Sequence, residues 1–240
     1  MLSFSRARRA AILAGGGAPN PLAAVPWKAQ WKFNNSGADA IGANTLTNNN
    51  SATFTNGKLG GSTGATQLVS ASTQFWSVAS NSNLQAGAND ILLTGWFYPD
   101  TSHLGIIIAK GANGVAGGEY RVYINGTTLR FDVSNASATL KFVTATASVG
   151  AWHWFAAWRS TATDKIYLNV DGGTTQETDL AGLIVHAGTE PLYIGDQNAF
   201  SSPFNGKIDN VAFAKGTGAV PTAAILSALY NGGAGTESFT

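Results

Sequence analysis

The chain has 240 residues, 44% of them apolar and only 11% charged, with 29 glycines, a net charge of +1 and no cysteine. The lack of cysteine excludes disulfides, thiolate metal sites and thiol catalysis, and the near-zero charge excludes a global pull toward nucleic acid or an anionic membrane. No apolar run approaches the ~18 residues of a spanning helix, and the many short side chains and glycines suit β-architecture in one domain.

Residues 1–26 carry Arg6, Arg8 and Arg9, a short apolar stretch, Gly15 to Gly17, and Pro19, Pro21 and Pro26. The apolar stretch is too short for a signal-peptide core and runs straight into glycine, so an uncleaved, irregular basic arm is expected. So few charges would neutralise few phosphates. Arg6, Arg8 and Arg9 are therefore expected to dock on an acidic partner protein.

The domain proper is expected over 27–240. Strands are predicted near 28–34, 66–78, 91–98 and 104–110 from their β-branched and aromatic content. In 119–125, Tyr120, Val122 and Ile124 share one face and Arg121 and Tyr123 the other; Leu129, Phe131 and Val133 likewise oppose Arg130 and Asp132. Asn125-Gly126 between them predicts a type I′ hairpin turn with positive φ at both residues. A strand over 139–146 precedes 152–159, which is apolar almost throughout and is expected at the centre of a sheet, buried on both faces. Ile166, Leu168 and Val170 lead into a turn at Asp171-Gly172-Gly173, and the last strands fall near 191–195 and 207–214. About ten or more strands with turns at this spacing predict an all-β, two-sheet antiparallel jelly-roll sandwich. Pro221-Thr222 opens a short C-terminal helix with Ile225, Leu226, Leu229 and Tyr230 on one stripe, stopped at Asn231-Gly232-Gly233 and expected to plug one end of the sandwich.

Several blocks stand in a telling order: Trp31-Lys32-Phe33-Asn34-Asn35, the Asn-rich 43–49 leading to Gly57-Lys58-Leu59-Gly60, Gly95-Trp96-Phe97-Tyr98-Pro99, Gly150-Ala151-Trp152-His153, Tyr167 to Gly172, Leu192-Tyr193-Ile194-Gly195, and Gly206-Lys207-Ile208-Asp209-Asn210-Val211. Together, over about residues 28–234, they resemble the laminin G-like and pentraxin-like branch of the concanavalin A-like lectin and glucanase superfamily. The resemblance implies a concanavalin A-like sandwich. Members of that superfamily bind glycans or proteins, hydrolyse polysaccharides or build assemblies, so the fold leaves the function open.

Glucanases of the superfamily set paired carboxylates on one strand face, about 5 Å apart for retaining chemistry. Here only Glu177 has a carboxylate so near in sequence, Asp179; the two could share one face of a short strand, but the solvated edge of a turn is the simpler reading. His153 has no serine or acid placed recognisably as a triad partner and is read as structural; His103 and His186 are read as loop residues. Many relatives hold calcium at the rim with Asp, Asn and carbonyl oxygens, and the resemblance points to Asp209, with Asn34 from the first strand, as calcium ligands. By alternation Asp209 shares a face with Val211 and Phe213, so its carboxylate needs either a cation or backbone N–H groups. Two loops, Asp196-Gln197-Asn198 and Asp100 to His103, could form a glycan-binding rim or be ordinary polar connections.

The expected function is a non-enzymatic structural or adhesive module of a larger assembly, specifically a bacteriophage virion protein such as a capsid decoration, head-fibre or tail-associated subunit. The arm would anchor it to other virion proteins, with cell-surface glycans and a second copy of the chain as further partners and calcium as the one cofactor. The alternative is a secreted, extracellular calcium-dependent lectin. A glycoside hydrolase comes third, for want of paired carboxylates.

Overall fold

A computed structural model describes residues 19–111, 118–197 and 202–239. In chain order its strands are β1 (Trp27–Trp31), β2 (Thr47–Asn49), β3 (Thr53–Thr55), β4 (Ala65–Leu68), β5 (Phe75–Val78), β6 (Ile91–Pro99), β7 (Leu104–Lys110), β8 (Tyr120–Asn125), β9 (Thr128–Ser134), β10 (Leu140–Thr146), β11 (His153–Ser160), β12 (Lys165–Val170), β13 (Gln176–Asp179), β14 (Leu192–Ile194) and β15 (Gly206–Lys215), followed by the helix α1 (Ala223–Tyr230). An eight-stranded sheet runs β13-β12-β11-β6-β15-β4-β3, with β1 also paired to β15; a seven-stranded sheet runs β10-β9-β8-β7-β14-β5-β2. The two form the antiparallel jelly-roll sandwich that the alternation predicts.

Between the sheets, Phe97, Phe155, Leu168 and Phe213 meet Tyr120, Val122, Phe131 and Ile194. The rings of Tyr120 and Phe213 stack across this core with centroids 5.3 Å apart. A second apolar layer lies on the outer face of the eight-stranded sheet, where Leu92, Trp96, Trp154 and Trp158 are covered by Ile225 and Leu229 of α1, by Leu22 and Val25, and by Phe239. That cover explains why β11 is apolar on both sides.

The helix therefore lies on a sheet face rather than at an end of the sandwich, because that face is apolar and must be removed from water. Thr222 caps it, its Oγ1 accepting from the Ile225 N–H at 3.3 Å. The chain N-terminal to Trp27 also differs from the expected irregular arm. Pro21–Ala24 is a 3-10 helix capped by Asn20, and Leu22 and Val25 are buried. Packing thus begins before Trp27; Arg6, Arg8 and Arg9 lie outside the described residues.

Two further differences have local causes. The expected strand 66–78 is two strands in different sheets, split by a turn whose Thr73 has φ +48°. The β8–β9 turn is centred one residue later than expected, on Gly126-Thr127, since Asn125 pairs with Thr128. Its positive φ falls on Gly126 and not on Asn125, as in a type II′ turn. The shift matters, because a turn centred on Asn125-Gly126 would pair Arg121 with Arg130, whereas the observed register pairs Arg121 with Asp132.

Candidate functional site

The outer face of the seven-stranded sheet carries a polar and aromatic cluster built by that register. Tyr123 lies across from Arg130, and Phe142 and Thr144 of β10 lie across from Asp132 and Arg130. Asp132 is fully buried and holds both guanidinium groups. Its Oδ2 accepts from Nε and Nη2 of Arg121 at 3.0 and 2.7 Å, and its Oδ1 accepts from Nε of Arg130. The third nitrogen of Arg121, Nη1, donates to Oε1 of Gln197 at 3.0 Å. Arg130 instead keeps both terminal nitrogens without a hydrogen-bond partner among the described residues.

The aromatic rings fix the guanidinium planes. Arg121 lies 4.4 Å from the Tyr123 ring centroid and Arg130 lies 3.7 Å from that of Phe142. Burial, reinforced by the Asp132 charge, holds the Tyr123 phenol above its usual range. Phe142 is 46% exposed, and the Arg130 side chain 23%. Two cations and one anion leave the cluster one positive charge in excess. Farther along the same face, Phe75 and Tyr193 pack with centroids 5.9 Å apart.

The sequence places Arg121, Tyr123, Arg130 and Asp132 on one face of a hairpin but does not single them out as a site. The signal that finds them is register: with the turn centred on Gly126-Thr127, Asp132 stands opposite Arg121 and two residues from Arg130 on the same face, within reach of both. Like charges directly opposed would be destabilising, which disfavours the earlier turn centre.

The Asp100 to His103 loop is tied to the segment before β15, since the Asp100 N–H donates to the Asn205 carbonyl and the Asn205 N–H to His103 Nε2 at 2.9 Å. The polar groups of the two expected rim loops are spent internally. Asp196 is fully buried and its Oδ1 accepts from the N–H groups of Gln197 and Ser202. Gln197 orients Arg121, His103 also bonds the Thr101 carbonyl, and Asp100 accepts from Gln67 at 3.1 Å. Asn198 lies outside the described residues.

Asp209 is fully buried, but not beside Val211 and Phe213. A register irregularity between Asp209 and Ala212, with Asn210 at φ +46°, reverses the alternation. Ile208, Val211 and Phe213 consequently face the inter-sheet core, while Asp209 pairs with Trp96 under the 58–60 loop and the C-terminal tail. Gly235, at φ +71°, lets that tail close on Trp96, since a Cβ there would stand 3.0 Å from Nε1 of the indole. Asp209 Oδ2 accepts from the Leu59 N–H at 2.7 Å, and Oδ1 has no hydrogen-bond partner among the described residues. Burial, with the Glu237 charge adding to it, pushes its carboxyl up to about 8. Asn34 donates Nδ2 to the Glu237 carboxylate at 3.1 Å. The hard oxygens of Asp209 and Glu237 fit a calcium ion in kind, with the unpartnered Oδ1 as the atom that would ligate it. They are sparse in number: among the described residues no three acidic or imidazole side chains gather into a metal-binding group.

His153 does have a serine and an acid beside it, contrary to the sequence reading. Nδ1 lies 2.6 Å from Asp171 Oδ2, and Nε2 lies 3.0 Å from Ser148 Oγ. Nε2 also stands 3.0 Å from the backbone nitrogen and 3.1 Å from the carbonyl oxygen of Ser148, so the backbone of the same loop competes with the hydroxyl for it. The histidine ties the loop before β11 to the turn after β12, where Asp171 Oδ1 accepts the Trp154 N–H at 2.8 Å. Glu177 and Asp179 sit on the edge strand β13 rather than in a turn, and both contact Lys165, Asp179 at 3.6 Å. They are 51% and 76% exposed. Glu119 is instead fully buried in an ion pair with Lys110 at 3.1 Å, with the Ala86 and Gly188 N–H groups completing its bonds.

A two-sheet antiparallel jelly roll of this strand order is a concanavalin A-like sandwich. The sequence pattern of a laminin G family within the concanavalin A-like lectin/glucanases superfamily matches residues 70–217, and the chain belongs to that family. No curated protein matches the sequence significantly. Among solved structures, the receptor binding domain of botulinum neurotoxin C/D mosaic serotype superposes with a TM-score of 0.68 at 11% identity, covering 86% of this chain and 51% of that one. The botulinum neurotoxin serotype D ligand binding domain, in complex with N-acetylneuraminic acid, gives 0.69 at 11% identity over 88% and 52% of the two chains. The binding domain of Paraclostridial Mosquitocidal Protein 1 gives 0.66 at 10% identity over 81% and 50%. The chain thus spans about half the length of these domains, and at such identities the likeness is one of fold. No helix among the described residues is long and apolar enough to cross a membrane.

Proposed function

We propose that the protein is a non-enzymatic adhesion module that binds saccharides at the β9–β10 side of the outer face of its seven-stranded sheet, displayed on a larger assembly such as a virion surface. The observation that carries this reading is the 46% exposed Phe142 ring against the fixed Arg130 guanidinium at the β9–β10 side of that face, the part that reaches the surface while Ile106, Ala109 and Tyr123 beside it are buried. Aromatic platforms flanked by a few oriented polar groups are what sugar sites require. The fold's occurrence in receptor- and ligand-binding domains supports the binding role. Retaining hydrolysis needs two free carboxyls about 5 Å apart; here Asp132 is occupied by two arginines and Glu177 and Asp179 share a lysine.

A glycan array probed with the full chain tests the reading: selective binding supports it, and silence across a broad array overturns it. The assembly role is tested separately by deleting residues 1–18, which spares the packed Leu22 and Val25. The truncated sandwich should stay folded and fail to co-sediment with its particle; unchanged incorporation removes the arm as anchor.

A calcium-dependent form of the same reading is favoured by the unpartnered Oδ1 of Asp209. Calcium added at pH 8 should raise the Tm of the wild type and leave Asp209→Asn unmoved. An equal response of the two proteins would remove Asp209 as a ligand.

A further inference from the structure

We infer that the β9–β10 side of the seven-stranded sheet's outer face selects acidic saccharides, with a carboxylate or sulfate of the ligand seated on Arg130 beside Phe142. The inference rests on the saccharide-binding reading above and names the ligand class of that site.

The two arginines that share Asp132 are not equivalent. Arg121 is fully used: Nε and Nη2 bond Asp132 and Nη1 bonds Gln197. It carries no free fork and acts as a positioning residue. Arg130 bonds Asp132 through Nε alone, and its two terminal nitrogens have no partner among the described residues. Its guanidinium is nonetheless held in place, pinned at Nε and lying on the Phe142 ring at 3.7 Å. A planar fork already fixed in orientation loses little side-chain entropy on binding, and its two parallel N–H groups match the spacing of carboxylate or sulfate oxygens.

Charge points the same way. Asp132 accepts three charge-assisted hydrogen bonds and is fully buried, so one anion already faces two cations. The excess positive charge sits on a group only 23% exposed, where an oxyanion is attracted more strongly than in bulk water. A neutral sugar can offer the fork only hydroxyl oxygens, whose hydrogen bonds are roughly half as strong as the charge-assisted, bidentate pair an oxyanion makes. Around the fork lie groups suited to the rest of a sugar ring: the 46% exposed Phe142 for the pyranose C–H face, and the exposed Thr144 across from Arg130 for a hydroxyl.

Titration calorimetry on the full chain tests the inference with four hexamers: hexagalacturonate (carboxylate only), κ-carrageenan hexaose (sulfate only), neutral maltohexaose and hexathymidylate. At least one acidic sugar should bind ~10-fold or more tighter than maltohexaose, and the pair of acidic probes shows which oxyanion is preferred. Arg130→Gln should weaken that binding by ~10-fold or more and Arg130→Lys by less, since lysine keeps the charge but loses the fork. Phe142→Ala should weaken it several-fold. Thermal melts identify any variant that fails to fold, and the partly exposed positions of both side chains make Arg130→Lys and Phe142→Ala safe second variants. Equal binding of neutral and acidic sugars, or acidic binding unchanged in Arg130→Gln, overturns the acidic ligand and leaves saccharide binding standing. No binding of any sugar overturns both, and preference for hexathymidylate overturns the saccharide assignment.

Discussion

The outer faces of the two sheets start from the same strand alternation and end in opposite states. On the eight-stranded sheet, tryptophans and alanines point outward and are sealed by α1, the Leu22 to Val25 segment and Phe239. On the seven-stranded sheet, the outward positions of β8, β9 and β10 hold Arg121, Tyr123, Arg130, Asp132 and Phe142, and no described helix covers them. The first face contributes to stability through burial of apolar area. The second keeps charges in partial contact with water, at an electrostatic cost offset by the shared Asp132. What distinguishes them is the kind of side chain that alternation turns outward, which then decides where the rest of the chain packs.

That contrast predicts different penalties for truncation on the two faces. The largest effect belongs to the sealed one: Trp154→Ala, at a position 1% exposed, should lower the unfolding free energy by ~3–5 kcal/mol through lost burial and a residual cavity, read from urea unfolding. A value below ~1 kcal/mol would mean the cover is loosely packed.

Next is the pH response of Asp209, also on the sealed side. Its carboxyl keeps a proton up to about pH 8 in the fold but releases it near 3.8 when unfolded. The folded state therefore binds the extra proton between those values, and stability falls as pH rises from about 4 to about 8, by up to ~1.4 kcal/mol per pH unit. Asp209→Asn should remove this contribution, flattening the difference between the two proteins below pH 4 and widening it in the variant's favour toward pH 8. Parallel pH profiles would place the proton elsewhere.

On the outer face of the seven-stranded sheet the stability effects shrink. Asp132→Asn should cost about 1–2 kcal/mol, less than a fully enclosed ion pair, because both arginines can turn to water. Phe142→Ala, at the most exposed ring of the cluster, should change stability by less than ~1 kcal/mol while weakening acidic-sugar binding. A large loss of stability from Phe142→Ala would sink the claim that this part of the face reaches the surface.

Much of the sandwich is legible in the sequence because its strongest cues are local. Period-two runs such as Tyr120 to Ile124, the doubly apolar Trp154 to Trp158 strand, and the Thr222 cap ahead of Ile225 depend only on neighbours along the chain. The short strands β2 and β3 have too few residues to show a period, and β13 shows only the two-residue spacing of Glu177 and Asp179, which fits a strand or a turn edge alike. The facing of Asp209 was misread for a related reason: one irregular residue, Asn210, reverses the alternation, and nothing in the sequence marks a bulge there. The triad-like contacts of His153 with Ser148 and Asp171 join residues on separate loops, so no spacing rule links them.

The sequence by itself determined the sandwich, its family and, in the strands that alternate without a bulge, the residues turned to either face, since side-chain direction in a regular strand follows from the two-residue repeat. Only the tertiary structure decided where the helix and tail would cover the eight-stranded sheet, which part of the other outward face reaches the surface, and which of two arginines on one hairpin keeps a free fork. Those outcomes depend on cross-strand register and on where the helix and tail come to rest, and both are set by contacts between segments far apart in the chain.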